Sequence, residues 1–345
     1  MEKVKTRRLA FVSWMAVFAI QCVLFNGCSL KGSSNKTNET PTFDSVKFSY
    51  SAVIGVGVDS VWNRRDPSDI IKVGNKYYVW YTKMKSPVTS GYWGNIWYAV
   101  SEDEGHTWEE KGLALDVGSE GQFDSHSVFT PNILVYEGKY YLYYTGVKPT
   151  PGNPHNKFEN NSTNDFTAIG LAVAESPGGP FVRVKNNPVL EISSVADDFD
   201  SYRIDDASLL VKDGKIWLYY KGRSAVHGKK GAGLTKMGVA VADHPEGPFE
   251  KHSKPLIERS HEVLIWAQNG GVASLASLSR TIYWSNDGIN FNMKQDSLVR
   301  IPKAPGLYRP ELEEGNKEKD FPGWGIAMVQ KRGLAYLLRF EIKRE

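Results

Sequence analysis

Cysteine is nearly absent from this chain: only Cys22 and Cys28 occur among 345 residues, and none follows Cys28. The rest of the chain can therefore hold neither a disulfide framework nor a cysteine-ligated metal, so its fold must depend on packing and backbone hydrogen bonds. An excess of charge of one sign is also missing, because 42 basic and 39 acidic residues give a net charge of +3. This balance argues against nucleic acid as a partner and favours a small or neutral molecule.

Long hydrophobic runs are missing too, except near the N-terminus. A mainly apolar run from Leu9 to Phe25 follows the basic residues Lys3, Lys5, Arg7 and Arg8, which is typical of a secretory signal. The run ends in Leu24-Phe-Asn-Gly-Cys28 before a polar stretch, a pattern that resembles a bacterial lipoprotein signal. We predict a signal peptide over residues 1–28 that ends at the lipidated Cys28, and a polar linker over residues 29–45. The protein is then exported to the periplasm or cell surface and anchored to a membrane by its lipid; an ordinary cleaved signal and an uncleaved anchor helix are the alternatives.

No long helical period is present either, and short β-branched and aromatic runs repeat instead. Three copies of a strand, a tight turn and an aromatic strand are centred on Gly74, Gly138 and Gly214, which is a β-hairpin signal. A second hairpin half follows each copy, and four strands per unit indicate a propeller blade. The sequence therefore predicts an all-β fold, a five-bladed β-propeller over residues 46–345, with blades near residues 60–112, 124–184, 200–252, 258–296 and 304–345. The segment Lys47–Ile54 is expected to close the ring by joining the last blade.

Acidic residues recur at one place in this repeat. Counting back eight residues from the hairpin glycine gives Asp66, Thr130 and Asp206, and in a weaker fourth copy Glu262 before Gly270. Equivalent positions of a propeller converge at one end of its central channel, so the acids are expected to share a pocket. Neighbouring carboxylates raise one another's pKa, which is unfavourable unless they bind a cation or carry out acid/base chemistry such as glycoside hydrolysis. The alternatives are turn-forming roles for the two aspartates, a solvated strand end for Glu262, and Asp205 in place of Asp206.

Other functional signals are weak or missing. There is no phosphate-binding loop or Gly-x-Ser-x-Gly motif, and the seven histidines lack metal-ligand spacing. We predict no required cofactor, with a divalent cation near the axis as an open alternative and His126 as its conceivable ligand. Turns at Ser101–Trp108 and Ser285–Gly288 resemble those of six-bladed sialidases, but no arginine triad with a tyrosine nucleophile can be assigned. A non-catalytic glycan-binding propeller is the alternative from another class.

Three motifs carry a resemblance to a known family: Trp62-Asn-Arg-Arg-Asp66, Arg203-Ile-Asp-Asp-Ala-Ser208 and Ser260-His-Glu262. They resemble the five-bladed glycoside hydrolases of families 43 and 117, and most closely the exo-acting 3,6-anhydro-α-L-galactosidases of family 117. The resemblance implies release of terminal 3,6-anhydro-L-galactose from agar-type oligosaccharides by inversion.

The same resemblance implies catalytic roles. Asp66 is the general base, Asp206 tunes and orients, His261 is the general acid and Glu262 stabilises charge in the transition state. A histidine beside a carboxylate is expected to stay protonated near neutral pH. In a family 43 interpretation Glu262 is itself the acid, and the sequence leaves both assignments open.

The remaining candidates are contacts to an oligosaccharide. Polar or rim contacts are predicted for Arg65, His126, Thr130, Asn132, Arg203 and Arg223, with Arg309 as a weaker candidate, and Trp62 and Trp266 are predicted to stack on a sugar. Loops at Pro149–Asn164 and Ala225–Thr235 are expected to set specificity. Family 117 proteins commonly exchange an N-terminal helical segment between subunits; only a short low-complexity stretch follows Cys28, so we do not expect that dimer and leave the oligomeric state open.

Overall fold

The described strands run from Lys47 to Lys343 in a computed structural model, which describes residues 43, 45–85, 94–149, 165–312 and 321–344. These residues belong to the compact unit Asn38–Glu345. The predicted signal peptide with Cys28, most of the predicted linker and nearly all of the loop Pro149–Asn164 lie outside the described residues. Within the described part of the chain, no helix is long and apolar enough to cross a membrane.

The described residues form five antiparallel sheets, which are the blades of the predicted propeller. The first strand of the chain, β1 (Lys47–Ala52), belongs to the last blade. Blade one holds β2 (Trp62–Arg65), β3 (Ile71–Val73), β4 (Lys76–Lys85), β5 (Asn95–Ser101) and β6 (Glu109–Leu115). Blade two holds β7 (Ser127–Tyr136), β8 (Lys139–Pro149), β9 (Asp165–Ala174) and β10 (Val182–Arg183).

The other three blades follow the same order. Blade three holds β11 (Arg203–Lys212), β12 (Lys215–Arg223), β13 (Lys236–Ala242) and β14 (Glu250–Lys251), with a 3₁₀ segment at Ala225–Gly233. Blade four holds β15 (Val263–Gln268), β16 (Gly271–Ala276), β17 (Thr281–Ser285) and β18 (Asn292–Gln295). Blade five holds β19 (Lys303–Leu307), β20 (Trp324–Lys331) and β21 (Leu334–Lys343), with a short 3₁₀ turn at Pro310–Leu312. The all-β, five-bladed prediction is confirmed, and the competing six-bladed fold is wrong.

The ring closes through its N-terminal strand. β1 pairs antiparallel with β21 from Lys47 opposite Lys343 to Ala52 opposite Leu338, as the sequence predicts. The last blade is thus completed by the start of the domain, which covers the edge of β21 and ties the two ends of the ring together.

The aromatic strands of the repeat fill the spaces between blades. Side chains alternate along β4, so Trp80 packs into the core shared with blade two while Tyr81 packs into the core shared with blade five. The turns that lead into β8 and β12 need a left-handed residue, which Gly138 and Gly214 supply with φ of +76° and +74°. The repeat seen in the sequence therefore builds both the hairpins and the interblade core.

The innermost strands carry a second repeated feature, a bulge with a left-handed residue other than glycine. Asp66, Thr130, Asp206 and Ala304 have φ of +50°, +43°, +54° and +40°. In three blades the strand register slips at this point, between Phe129 and Asn132, between Asp205 and Ser208 and between Lys303 and Gly306. A bulge re-aims one side chain, and a left-handed backbone costs about 1–2 kcal/mol for such residues. Repeated strain of this kind is typical of a functional site.

Candidate active site

The bulge residues meet in one pocket at the end of the channel. Each blade contributes one residue and its successor to the lining, namely Asp66-Pro67, Thr130-Pro131, Asp206-Ala207, Glu262-Val263 and Ala304-Pro305, around a small cavity of about 40 Å³. The structure thus brings together the four residues that the eight-residue spacing aligns. The fifth contributor, Ala304, was missed by that spacing, although Ala304-Pro305 repeats the form of Asp66-Pro67 and Thr130-Pro131.

Asp66 forms an ion pair with the residue before it. Arg65 Nε lies 2.7 Å from Asp66 Oδ2, and the side chains are only 14% and 9% exposed. The predicted substrate contact Arg65 is therefore a direct partner of the predicted base. Its guanidinium stabilises and orients the carboxylate.

Asp205 and Asp206 lie on either side of a buried lysine that sequence reasoning did not single out. Lys221 Nζ is 2.9 Å from Asp205 Oδ1 and 2.7 Å from Asp206 Oδ2. Arg203 Nε donates to Asp205 Oδ2 at 3.2 Å, so this predicted substrate contact is committed to a carboxylate of its own strand. Asp206 faces the pocket and Asp205 does not, as the repeat spacing favours.

The pKa values of these two buried carboxyls are shifted in opposite directions. For Asp205, burial opposes the charge, but Lys221 and Arg203 outweigh it and lower the pKa below its ordinary value. For Asp206, burial, joined by the anions Asp205 and Asp66, raises the pKa to about 7 although Lys221 acts in the opposite sense. Asp205 is therefore ionised at neutral pH, whereas Asp206 changes its charge near neutral pH.

His261 and Glu262 differ in position and in charge. Glu262 lines the pocket, and its backbone N–H donates to Ser277 Oγ at 3.1 Å. His261 does not line the pocket; its Nδ1 lies 3.3 Å from Thr235 Oγ1. The Lys221 ammonium, together with burial, lowers the pKa of His261 to about 4 against the influence of Glu262 and Asp205. The expectation that a neighbouring carboxylate keeps His261 protonated is therefore wrong, because a cation across the site outweighs the anion beside it.

Two predicted polar contacts of the second blade are already engaged with the protein. Thr130 Oγ1 lies 2.6 Å from Thr145 Oγ1 at the edge of the pocket. Asn132 also lines the pocket, but its amide donates to Ala207 O at 3.0 Å and accepts from the N–H of Asp69 at 3.2 Å. Asn132 therefore joins three blades below the acids.

The two predicted stacking tryptophans have different surroundings. Trp62 is 36% exposed, and the Lys83 ammonium lies 4.7 Å from its ring centre. Trp266 is only 3% exposed and packs edge-on against Phe321 in the core of blades four and five. The prediction that Trp266 stacks on a sugar is wrong, because strand alternation directs its ring between blades.

The remaining arginine and histidine candidates are not among the residues that line the pocket. Arg223 donates to Gly228 O at 2.6 Å and so holds the 3₁₀ segment Ala225–Gly233. Arg309 is fully buried and bonds Asp69 in the channel, so it is not a rim contact. His126 is half-buried just before β7, and its backbone N–H donates to the backbone oxygen of Val147 at 3.0 Å. Across the described ranges, no group of three or more His, Cys, Asp or Glu is arranged to hold a metal, which leaves the possible cation site at His126 without support.

A five-bladed propeller with carboxylates around one end of its channel is a fold shared with glycoside hydrolases. The chain matches glycosyl hydrolases family 43 over residues 61–235. It resembles the solved structure of a family 117 glycoside hydrolase from the marine bacterium Zobellia galactanivorans, with a TM-score of 0.74, 29% identity, and coverage of 86% of this chain and 90% of that one.

Two characterised proteins match part of the chain. One is xylosidase/arabinosidase 43A of Humicola insolens, 27% identical over 36% of this chain and 35% of its own length. The other is an extracellular endo-α-(1→5)-L-arabinanase of Thermotoga petrophila, 27% identical over 45% of this chain and 33% of its own length. The matches thus span about a third of these relatives. The chain belongs to glycosyl hydrolases family 43, and its fold is also that of a family 117 enzyme.

Proposed function

We propose that this protein is an exo-acting glycoside hydrolase that releases a terminal 3,6-anhydro-L-galactose from agar-type oligosaccharides with inversion. The observation that carries the hydrolase proposal is the convergence of Asp66, Asp206 and Glu262 in one pocket, two of them on left-handed bulges. The resemblance of the site motifs to family 117 supports the choice of sugar. The channel is filled below the acids by Arg309, Asp69 and Asn132, so a substrate enters from the mouth alone.

The structure supports a division of labour among the acids. Asp66 and Glu262 come from blades one and four, which are not neighbours, so a glycosidic bond and a water molecule can lie between them. Asp66, oriented by Arg65, removes a proton from the water that attacks the anomeric carbon. Glu262 donates a proton to the leaving oxygen, since His261 is neutral at neutral pH and does not line the pocket. Asp206 lines the same pocket, and its own charge adjusts the electrostatic potential at the base Asp66 and the acid Glu262.

Hydrolysis of neoagarobiose tests the proposal, with released anhydrogalactose measured by chromatography. We expect Asp66→Asn to lower kcat by about 10²–10⁴-fold. Asp243→Asn is the matched control, because Asp243 is an exposed carboxylate paired with the exposed Lys215, and this variant should keep full activity. Absence of turnover on any red-algal oligosaccharide, or equal activity of the wild type and Asp66→Asn, would contradict the proposal.

The identity of the acid is tested with leaving groups of different basicity. On a natural sugar leaving group, Glu262→Gln is expected to lose about 10²–10⁴-fold in kcat, and an aryl leaving group of low pKa is expected to restore most of it. His261→Ala should show no such rescue. Rescue of His261→Ala in place of Glu262→Gln would return the acid role to His261.

A second candidate substrate class is arabinan- or xylan-type glycans. The match to family 43 and the partial matches to an arabinanase and a xylosidase/arabinosidase favour it. Aryl α-L-arabinofuranosides and β-D-xylosides belong in the same assay, and preference for either over neoagarobiose would select this class.

The lipoprotein signal gives a proposal about location. Acylation at Cys28 would hold the hydrolase at a membrane facing the periplasm or the exterior. Wild type is expected in the membrane fraction and Cys28→Ala in the soluble or unprocessed fraction, while equal partition of both would contradict the anchor.

A further inference from the structure

Lys221 occupies a place in the repeat where three of the other four blades carry a hydroxyl. Seven residues after the hairpin glycine stand Thr145 in blade two, Lys221 in blade three and Ser277 in blade four, and Thr82 takes the same place in blade one after a turn that is one residue longer. Blade five has Met328 at the same register, opposite Lys303, so the blade itself needs no charged residue at this position. The charge of Lys221 is therefore not required for the fold of the blade and indicates a role in the site.

The hydroxyls show what the position does elsewhere. Thr145 Oγ1 contacts the bulge residue Thr130 at 2.6 Å, and Ser277 Oγ accepts the N–H of Glu262 at 3.1 Å. Each therefore supports the pocket residue of its own blade. Lys221 makes the corresponding contact to Asp206, and it also reaches Asp205 directly across the strand pair.

Burial makes this lysine costly. Its side chain is 8% exposed, between carboxylates that are 1% and 13% exposed. A buried cation needs excellent pairing to offset its desolvation, and two carboxylates supply it. Replacing one buried partner leaves an uncompensated charge, so Lys221 and the two aspartates act as a unit.

We infer that Lys221 is a positioning residue of the proposed hydrolysis: its ammonium fixes Asp206 toward the pocket and leaves the proton-donor role to Glu262 rather than His261. The catalytic part of this inference rests on the proposed function. Lys221 does not line the pocket, so it acts through its neighbours.

The charged groups around Lys221 come from three blades. They are Arg203, Asp205 and Asp206 on β11, Asp66 of blade one, and His261 and Glu262 of blade four. Lys221 is the largest cause of the lowered pKa of His261 and opposes the raised pKa of Asp206. Loss of the ammonium should therefore raise both pKa values.

The test replaces Lys221 with threonine, the residue that blades one and two carry at this place. Lys221→Thr is expected to raise the pKa of His261, followed by ¹⁵N NMR and assigned with His261→Gln, by about one pH unit or more. Lys221→Arg should keep the wild-type value. The matched control is Lys251→Thr, which removes another lysine of the same blade, 2.6 Å from Asp200, and should leave the pKa of His261 unchanged.

Activity provides the second measurement. Asp206 acts as the carboxylate that Lys221 pairs with, so activity is lost where Asp206 is protonated. Since Lys221 lowers the pKa of Asp206, Lys221→Thr should move the acidic limb of kcat/KM to higher pH by about one unit, whereas Lys221→Arg should keep it at the wild-type position. An unchanged titration of His261, or an equal change in Lys251→Thr, overturns the inference. A shifted titration in a wild type that hydrolyses no glycoside would instead refute the proposed function alone. Should Lys221→Thr fail to fold, Lys221→Gln makes the same measurement.

Discussion

At the residue scale, the site separates two adjacent carboxyls that have the same chemistry. Asp205 is the last paired residue before a bulge and Asp206 lies in the bulge, so Asp205 is enclosed by Arg203 and Lys221 while Asp206, which Lys221 also contacts, reaches the pocket. The local cations keep Asp205 ionised, and burial among anions leaves Asp206 poised near neutrality. One position of sequence thus decides whether a carboxyl is structural or able to exchange a proton.

The raised pKa of Asp206 predicts a pH-dependent penalty on stability. The folded-state value of about 7 lies above the ordinary 3.8, so the folded protein binds more protons and its free energy of unfolding falls as pH rises between these values. Asp206→Asn removes this loss. Its free energy of unfolding relative to wild type should therefore grow from pH 4 to pH 7, by about 1.4 kcal/mol for each pKa unit involved. Urea unfolding at several pH values measures it, and a difference that is independent of pH would contradict the assignment.

At the element scale, the sialidase-like turns are structural parts of the propeller. Asp287 Oδ1 accepts from Ser285 Oγ at 2.8 Å and from the N–H groups of Ile289 and Asn290 at 2.9 and 2.8 Å. The adjoining Gly288 O accepts from Tyr219 of blade three at 2.9 Å. The turn therefore closes a hairpin of blade four and attaches it to the neighbouring blade three.

Removal of this carboxylate should lower stability without affecting hydrolysis. Although burial opposes the charge, the bonds from Asn290 and Ile289 hold the pKa of Asp287 far below 3.8, so its contribution is present at neutral pH and is lost as pH falls below about 4. Asp287→Ala should cost about 1–2 kcal/mol at pH 7 and less at pH 3. Asp243→Ala is the control, because an exposed ion pair contributes little. Equal losses in the two variants would show that the turn bonds are unimportant.

The 3₁₀ segment Ala225–Gly233 offers a test of the predicted specificity loop. A Cβ on Gly231 would lie 2.3 Å from Arg223 Nε, whereas a Cβ on Gly233 would meet nothing within 4 Å. Gly231→Ala should therefore displace Arg223 from Gly228, cost about 1–3 kcal/mol and change KM more than Gly233→Ala does. KM on disaccharide and longer substrates, together with melting temperatures, measures both. Identical KM values would remove this segment from substrate binding.

At the scale of the whole molecule, the repeat explains why so much could be predicted. A hairpin recurring with aromatic strands dictates blades, and blade equivalence dictates that Asp66, Asp206 and Glu262 meet. Trp266 was assigned to the pocket although strand alternation places its ring between blades, where it is buried. The protonation of His261 depends on Lys221, which is 40 residues away in sequence and close only after folding. The spacing of the repeat thus predicts where the acidic residues lie, but it does not predict the protonation state of a residue such as His261.

Near the axis of the propeller, Arg309 connects several blades to one another. Arg309 is fully buried; it bonds Asp69 Oδ2 at 2.8 Å, Ile265 O at 3.0 Å and Leu209 O at 3.1 Å, and so links blades one, three and four to blade five. Asp69, Leu209 and Ile265 each lie three residues after an acid of the pocket, and Arg309 joins them below it. This layer is the floor of the pocket.

Removal of Arg309 should therefore destabilise the whole ring. Arg309→Met leaves Asp69 buried without its cation, which costs about 3–5 kcal/mol in the free energy of unfolding. Without the cation the neutral form of Asp69 is favoured, so the loss should be smaller at pH 5 than at pH 8. Adding Asp69→Asn should recover part of the stability, because the uncompensated charge is gone while an acceptor for the N–H of Leu307 remains. A double-mutant cycle by urea unfolding measures this, and strictly additive losses would mean that Arg309 and Asp69 do not stabilise each other.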